Sequence, residues 1–294
     1  MIKKTLWLPA LVFCAFFSQT EAYSQVKNLW DGREYKANSI LQDSWAKKFF
    51  FDNHTFNGDE WLLDVGCGNG QITAKIATLA PKGHVLGIDN STSMIALAKQ
   101  DHKHISNIFF DVQSAQDVTF YQKYANTFDI ITGFAVMHWV DDQESALKGM
   151  FIALKPEGKC YLRLCSTGHD PVQAIADKLS QTPTWSGHFI GFKDPLHRFN
   201  TQTYSKLLMK QGFKILSLQE VQDSDILPSL EKLRLQLKSW LPHYRFLANK
   251  NAKIAEDFLN NIIDNYTLTY QPTNNGEIVL YDHYLEVIAA KPKI

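Results

Sequence analysis

The stretch "WLLDVGCGNGQITAKI", Trp61 to Ile76, reads as a buried strand that breaks into a glycine turn and continues as an amphipathic helix. Its glycine spacing limits what such a turn can hold. In the dinucleotide fingerprint G-x-G-x-x-G, the last glycine allows close strand–helix packing while the helix N-terminus faces a pyrophosphate. Gly66, Gly68 and Gly70 instead form G-x-G-x-G, and Ile72 stands near the place of the missing glycine. The G-K-[ST] ending of a P-loop is absent too, so no lysine is supplied for triphosphate charge.

Two carboxylates narrow the ligand further. Asp64, two residues before the first glycine, would repel phosphate and could attract an ammonium group. Asp89 ends the next apolar run, in "GIDNS", where a carboxylate can accept hydrogen bonds from two ribose hydroxyls. The ligand implied has ribose and an amino group but no phosphate.

Working outward from this turn, short apolar runs alternate with amphipathic segments, as in βαβ units that build a mostly parallel sheet. Strands are expected at Trp61–Val65, His84–Ile88, Asn107–Asp111, Phe128–Thr132, Lys159–Leu164, Phe213–Glu220 and Ile278–Ala289. The last follows "TNNGE" with no crossover helix placed to make it parallel, so an antiparallel pair is expected at the edge. The fold class is α/β: a Rossmann-like, seven-stranded, mostly parallel sheet with one antiparallel edge strand and helices on both faces. A helical stretch over Ile226 to Leu241 carries Leu230, Leu233, Leu237, Trp240 and Leu241 on one stripe, and another runs from about Lys253 to Tyr266. Together with the weakly periodic region after Pro171, these form a helical lid insertion, about 171–200 and 222–268, over the carboxyl edge where open α/β sheets bind ligands. Residues 23–294 then make a single domain.

Thirty basic and thirty acidic residues cancel in the 294-residue chain, and there is no Lys/Arg-rich block, so the electrostatic footprint of a nucleic-acid binder is missing. Four cysteines are too few for a disulfide scaffold, and Cys160 and Cys165 sit at an odd offset on one expected strand, facing opposite ways. At the start, Lys3 and Lys4 precede an apolar run from Leu6 to Phe17 that ends in "TEA" at Ala22. This resembles a secretory signal peptide over residues 1–22, well short of the roughly 20 apolar residues a membrane span requires. Cleavage would give an exported chain, periplasmic or secreted, with no stable membrane span. An uncleaved leader would leave it cytoplasmic or membrane-tethered.

"LDVGCGNG" followed by "VLGIDNS" resembles the first two motifs of the class I S-adenosylmethionine-dependent methyltransferases. The resemblance implies S-adenosyl-L-methionine as cofactor. Gly66 and Gly68 would let the backbone approach its methionine part, with Cys67 between them; Asp89 would take the ribose, Asn90 and Met94 would flank the adenine, and Phe134 would complete the set. Where the family commonly has an acidic residue before Ala, this chain has Ser114-Ala115 in "NIFFDVQSAQDV", with Asp111 a competing acceptor for the adenine amino group.

A second constellation is "FDIITGFAVMHWVDD", Phe128 to Asp142, which places His138 and Trp139 beyond the fourth strand. With "YKANSILQDSWAKKF", "LKPEGK", "LLMKQGFKI" and "YDHYLEVIAAKP", it resembles the trans-aconitate and juvenile hormone acid methyltransferase group, over roughly Tyr35 to Pro292. That resemblance implies that Gln42 and Trp139 hold a substrate carboxylate through amide and indole N–H donors, and that Tyr35 sits near the cofactor's methionine end. A small-molecule carboxylic acid is the partner implied. Such an acceptor is already ionised at neutral pH and needs no general base; a hydroxyl or amine acceptor would need one, with His138 the first choice. The lid aromatics, Trp185, Phe189, Phe192, Phe199, Trp240, Tyr244 and Phe246, would favour an apolar acid if they line a pocket, whereas a trans-aconitate-like acid would need inward cations from His188, Arg198, His243 and Arg245. The alternative from another class is an exported Rossmann-like binding protein without turnover. The composition does not bear on the oligomeric state.

Overall fold

The structure is a computed structural model that describes residues 46–52, 54–168 and 170–293. Tyr35, Gln42 and the leader therefore lie outside the described residues. A π-helical turn, Lys47–Phe51, buries Phe49 and Phe50 and leads into the first strand.

Seven strands form one sheet in the order β3-β2-β1-β4-β5-β7-β6. They are β1 Trp61–Val65, β2 His84–Asp89, β3 Ile108–Val112, β4 Phe128–Phe134, β5 Leu154–Cys165, β6 Lys214–Leu227 and β7 Ile278–Ala290. The first five are parallel, because helical crossovers join them: α1 Gln71–Leu79, α2 Thr92–Asp101, α3 Val118–Lys123 and α4 Gln143–Ala153. One face of the sheet packs Ile76, Ala77, Ile95 and Ala98 of α1 and α2 with Phe49 and Phe50. The other packs Tyr121, Leu147 and Met150 of α3 and α4 with Tyr204 and Leu208 of α6 (Thr201–Lys210). Helices thus cover both faces.

The antiparallel strand is β7, and it lies one place in from the edge, bonded to β5 on one side and to β6 on the other. The chain climbs β6 to the carboxyl end and passes through α7 (Leu230–Trp240), α8 (Pro242–Ala248) and α9 (Ala252–Thr269). It can then only descend, which fixes the direction of β7. The β5–β7 ladder stops at Cys165↔Tyr284, but β6–β7 pairing continues to Leu227↔Ile278. At about 3.3 Å per residue, this ribbon rises roughly 20 Å beyond the end of β5.

The ribbon corrects the expected helix over Ile226 to Leu241. Residues 222–227 continue β6, and α7 starts at Leu230 with Ser229 accepting from the Lys232 N–H. Pro228 disfavours the α conformation for the residue before it, which keeps Leu227 extended. Ile226 is consequently exposed, while Leu233, Leu237 and Leu241 are buried on the stripe that remains. These leucines join Leu227, Ile278, Leu280 and Tyr284 of the ribbon, Val172 and Ala176 of α5 (Pro171–Ser180), and Phe258, Ile262 and Tyr266 of α9 in a separate apolar cluster.

Candidate active site

β1 delivers the chain to Gly66 at φ +71°, and a Cβ there would stand 2.4 Å from Val136 Cγ2. Gly70, at φ +80°, is held as closely by Phe110, 2.6 Å from its would-be Cβ. Only glycine meets both the left-handed backbone and these contacts. The Gly66 and Cys67 N–H groups both donate to the Ile88 carbonyl, at 2.7 and 3.0 Å, the Gly70 N–H donates to Cys67 O at 2.9 Å, and the Gly68 N–H donates to Asp89 Oδ2 at 3.0 Å. The amides that would cradle a phosphate are spent inside the turn.

Asp89 accepts one further N–H, from Ser91, at Oδ1 (2.8 Å). Each oxygen therefore keeps a lone pair for one hydroxyl of a vicinal diol. Burial lifts its carboxyl above the ordinary range, against the two N–H donations that pull it down. Asn90 beside it is exposed, and Met94 is buried in the first turn of α2. This arrangement fits an adenosyl group that carries no phosphate.

Asp64 has a different first task from the one expected. It is buried, and its two oxygens accept from Thr73 Oγ1 (2.7 Å) and Thr132 Oγ1 (2.8 Å), tying β1 to α1 and β4. Burial holds its carboxyl up at about 6, opposed by those two bonds. It braces the turn, and its hydrogen bonds point into the protein. Cys67 is buried, its thiol pushed up by burial and then by the charges of Asp64 and Asp89, so it stays protonated. Phe134 ends β4 among Phe49 and Phe50, with ring centroids at 6.3 and 5.9 Å, as part of the core wall behind the turn.

Ser114 and Ala115 follow β3 and are half-buried; Ser114 Oγ accepts from the Gln116 N–H, and the Ala115 carbonyl accepts from Tyr121. The competing Asp111 is exposed, and Gln113 Nε2 donates to it. Strand alternation sets it on the face opposite Phe110, the residue that touches Gly70. Ser114 is the better placed of the two.

After β4, Met137–Trp139 form a single 3₁₀ turn. Gln143 pins it, its Nε2 donating to the carbonyls of Met137 and Val140 at 2.6 Å each. Trp139 is half-buried beside His138. His138 is 6% exposed, and its Nδ1 accepts the Cys165 N–H at 3.2 Å. The neutral ring must then carry its proton on Nε2, which leaves no lone pair for a substrate. Burial pushes the imidazole down to about 3, helped by the charges of Arg198 and His197. His138 is thus a bracket between β4 and β5, in a state that suits an acceptor already ionised better than the hydroxyl or amine for which a base was considered. Asp142 caps α4 through the Ser145 N–H, and Asp141 pairs with His197 at 3.0 Å.

The lid aromatics pack mainly on one another. Trp185 and Phe189 lie 5.0 and 4.9 Å from Phe258, and Phe192 lies 5.1 Å from Phe246. Phe199 joins Tyr204 in the sheet core instead. Of the four cations considered for a polyacid, Arg198 is paired with Asp194 (2.7 Å), His243 with Asp177 (3.2 Å) and Arg245 with the Ser239 carbonyl, while His188 is exposed. Val136, Thr73, Thr132 and Gln143 were not legible as site residues. Their parts are set by contacts across strands, which one sequence does not display.

Comparison with known proteins agrees with this geometry. A family model described as a methyltransferase domain matches residues 57–221. The juvenile hormone acid O-methyltransferase of Bombyx mori is 28% identical over 210 residues, covering 69% of this chain and 72% of that protein. The malonyl-[acyl-carrier protein] O-methyltransferase of Bacillus cereus is 28% identical over 114 residues, covering 39% of this chain and 40% of that protein. Among solved structures, the YcgJ protein of Bacillus subtilis superposes with a TM-score of 0.54 at 16% identity, over 86% of this chain and 98% of that one, which shows the shared fold. The seven-stranded sheet and its glycine turn define the class, a Rossmann-like protein that binds an adenosyl cofactor. The chain belongs to the methyltransferase-domain family, as a class I enzyme that depends on S-adenosyl-L-methionine.

Proposed function

We propose that this methyltransferase esterifies the carboxylate of a small organic acid. The observation that carries the reading is the state of His138, whose Nδ1 is occupied by a backbone N–H and whose ring stays neutral through the physiological range. An acceptor that arrives without needing deprotonation suits such a site, and a carboxylate does so at neutral pH. The printed activities of two relatives, on juvenile hormone acid and on a malonyl carrier, lean the same way.

When bound, S-adenosyl-L-methionine supplies a methyl group on a sulfonium leaving group. The protein's share is placement. Trp139, fixed by Gln143, offers an indole N–H to one carboxylate oxygen, and Gln42 offers its amide in the same way. Asp89 and the glycine turn fix the ribose end. With both reactants oriented, the displacement becomes effectively unimolecular, which accounts for most of the acceleration such a site can give. The helices of 171–200 and 230–269 act as its cover, and export after loss of residues 1–22 belongs to the same proposal.

The test is transfer of tritium from labelled cofactor to a panel of carboxylic acids. Alkali-labile volatile label in the product is expected. Label that resists alkali, or no transfer to any acid, overturns the ester reading.

A further inference from the structure

One face of the ribbon carries a dense set of acids where the sheet ends. Strand register places Asp223 opposite Asp282, Asp225 opposite Leu280 and Gln219 opposite Glu286, with Arg163 of β5 opposite Glu286 on the other side. Most of these acids have a cation. The buried Arg163 lies 2.8 Å from Asp223 and 3.5 Å from Glu286, and Lys48 lies 2.9 Å from Asp223 and 3.8 Å from Asp225.

Asp282 feels the charge of Arg163 too, but forms no ion pair with it. It is 7% exposed, it takes a hydrogen bond from the Tyr284 hydroxyl, and its Oδ2 has no hydrogen-bond partner. Asp170, the cap of α5, stands near enough to oppose its charge. Strand register sets Asp282 at the edge of the acceptor site proposed above. Tyr284 is opposite Cys165, the residue whose N–H holds His138 beside Trp139, and Asp282 comes one strand repeat beyond, just past the end of β5. A buried carboxyl oxygen left without a donor is costly, and a second acid nearby raises that cost. Among the described residues, no group of three donors could hold a metal ion, so the missing donor is sought in an organic group.

We infer that Asp282 is a specificity-determining residue of the acceptor site, its Oδ2 receiving a hydrogen from an ammonium or hydroxyl group that the acceptor carries apart from the methylated carboxylate. The inference rests on the acceptor site proposed above, and it narrows the substrate to amino- or hydroxy-substituted acids. Tyr284 holds the carboxyl by its hydroxyl, and the apolar residues Leu280 and Ile278 continue the same face toward the lid helices.

The experiment is calorimetric titration of the full chain loaded with S-adenosylhomocysteine, using straight-chain acids of graded length that end in methyl, hydroxyl or ammonium. At the best length, the hydroxyl- or ammonium-terminated acid should bind about tenfold more tightly than its methyl-terminated match, the effect of one satisfied buried acceptor. Asp282→Leu should reverse that order while S-adenosylhomocysteine binds as before. Asp282→Asn should lose the ammonium preference and keep the hydroxyl one, and it carries the test if the leucine variant does not fold. Equal affinities in the unaltered protein, or an unchanged preference in either folded variant, overturn the inference. Because these titrations need no turnover, alkali-stable label in the transfer assay would defeat the ester reading while leaving this result to stand or fall alone.

Discussion

The cofactor half and the proposed acceptor half of the sheet's carboxyl edge are built by opposite means. Around Gly66 to Asp89 the work is done by backbone: left-handed glycines, spent amides and one carboxylate held by two N–H groups. Around His138, Cys165 and Asp282 the structure rests on buried side chains on strands of different lengths. Backbone geometry tolerates almost no substitution, whereas a side-chain wall can be altered residue by residue. A shared cofactor with a changeable acceptor follows from that difference.

The largest effect expected is at the turn. Gly66→Ala would set a methyl group 2.4 Å from Val136 at φ +71°, combining overpacking with a forbidden backbone, for a loss of about 4 kcal/mol in stability and no measurable cofactor binding. Denaturant unfolding and calorimetry check it. If the variant keeps cofactor affinity, the contrast between a rigid turn and an adaptable wall fails.

Next come two buried ionisable groups of opposite sign, one in each half. Asp64 is raised in the folded protein to about 6, so its contribution is complete below its unfolded value near 4 and is lost as pH rises through 6, about 3 kcal/mol in all. His138 is lowered to about 3, so its contribution is complete above its unfolded value of 6.5 and falls away as pH drops toward 3, about 2 kcal/mol of it by pH 5. Denaturant unfolding from pH 4 to 8 should show Asp64→Asn gaining on the parent as pH rises, and His138→Gln gaining as pH falls. Parallel curves for the two variants would mean that neither group is buried as described. A smaller effect is expected for Asp89→Ala: roughly 100-fold weaker cofactor binding, the order of magnitude for losing charge-assisted hydrogen bonds to a diol, with about 1–2 kcal/mol of stability lost where the Gly68 and Ser91 N–H groups lose their acceptor. A loss under threefold in calorimetry would remove Asp89 from the ribose role.

The same division governs what could be read from the sequence. Gly66, Gly68, Asp89 and the first five strands were legible because their signals are local: a glycine at a fixed offset, an apolar run, a terminal acid. Ile226 was misread as helical because its spacing to Leu230, Leu233 and Leu237 fits a helix stripe, and the stronger signal was Pro228 followed by the cap Ser229. The early start of β5 at Leu154 was hidden by Pro156 and by Glu157, which takes φ +67°. Asp64 could be recognised as important but not aimed, since Thr132 lies sixty-eight residues away along the chain. Asp282 sat inside a motif that resembled a family and still gave no hint that its Oδ2 lacks a donor, which only the surrounding space decides.

The tall ribbon of β6 and β7 has a developmental consequence for the protein's lineage. Everything between Leu227 and Ile278 hangs from two neighbouring strand tips, so that whole stretch can be lengthened, trimmed or replaced as a cassette while the chain enters and leaves it at the same place. Under the acceptor site proposed above, innovation in what is methylated would accumulate on a mast, apart from the keel formed by the glycine turn.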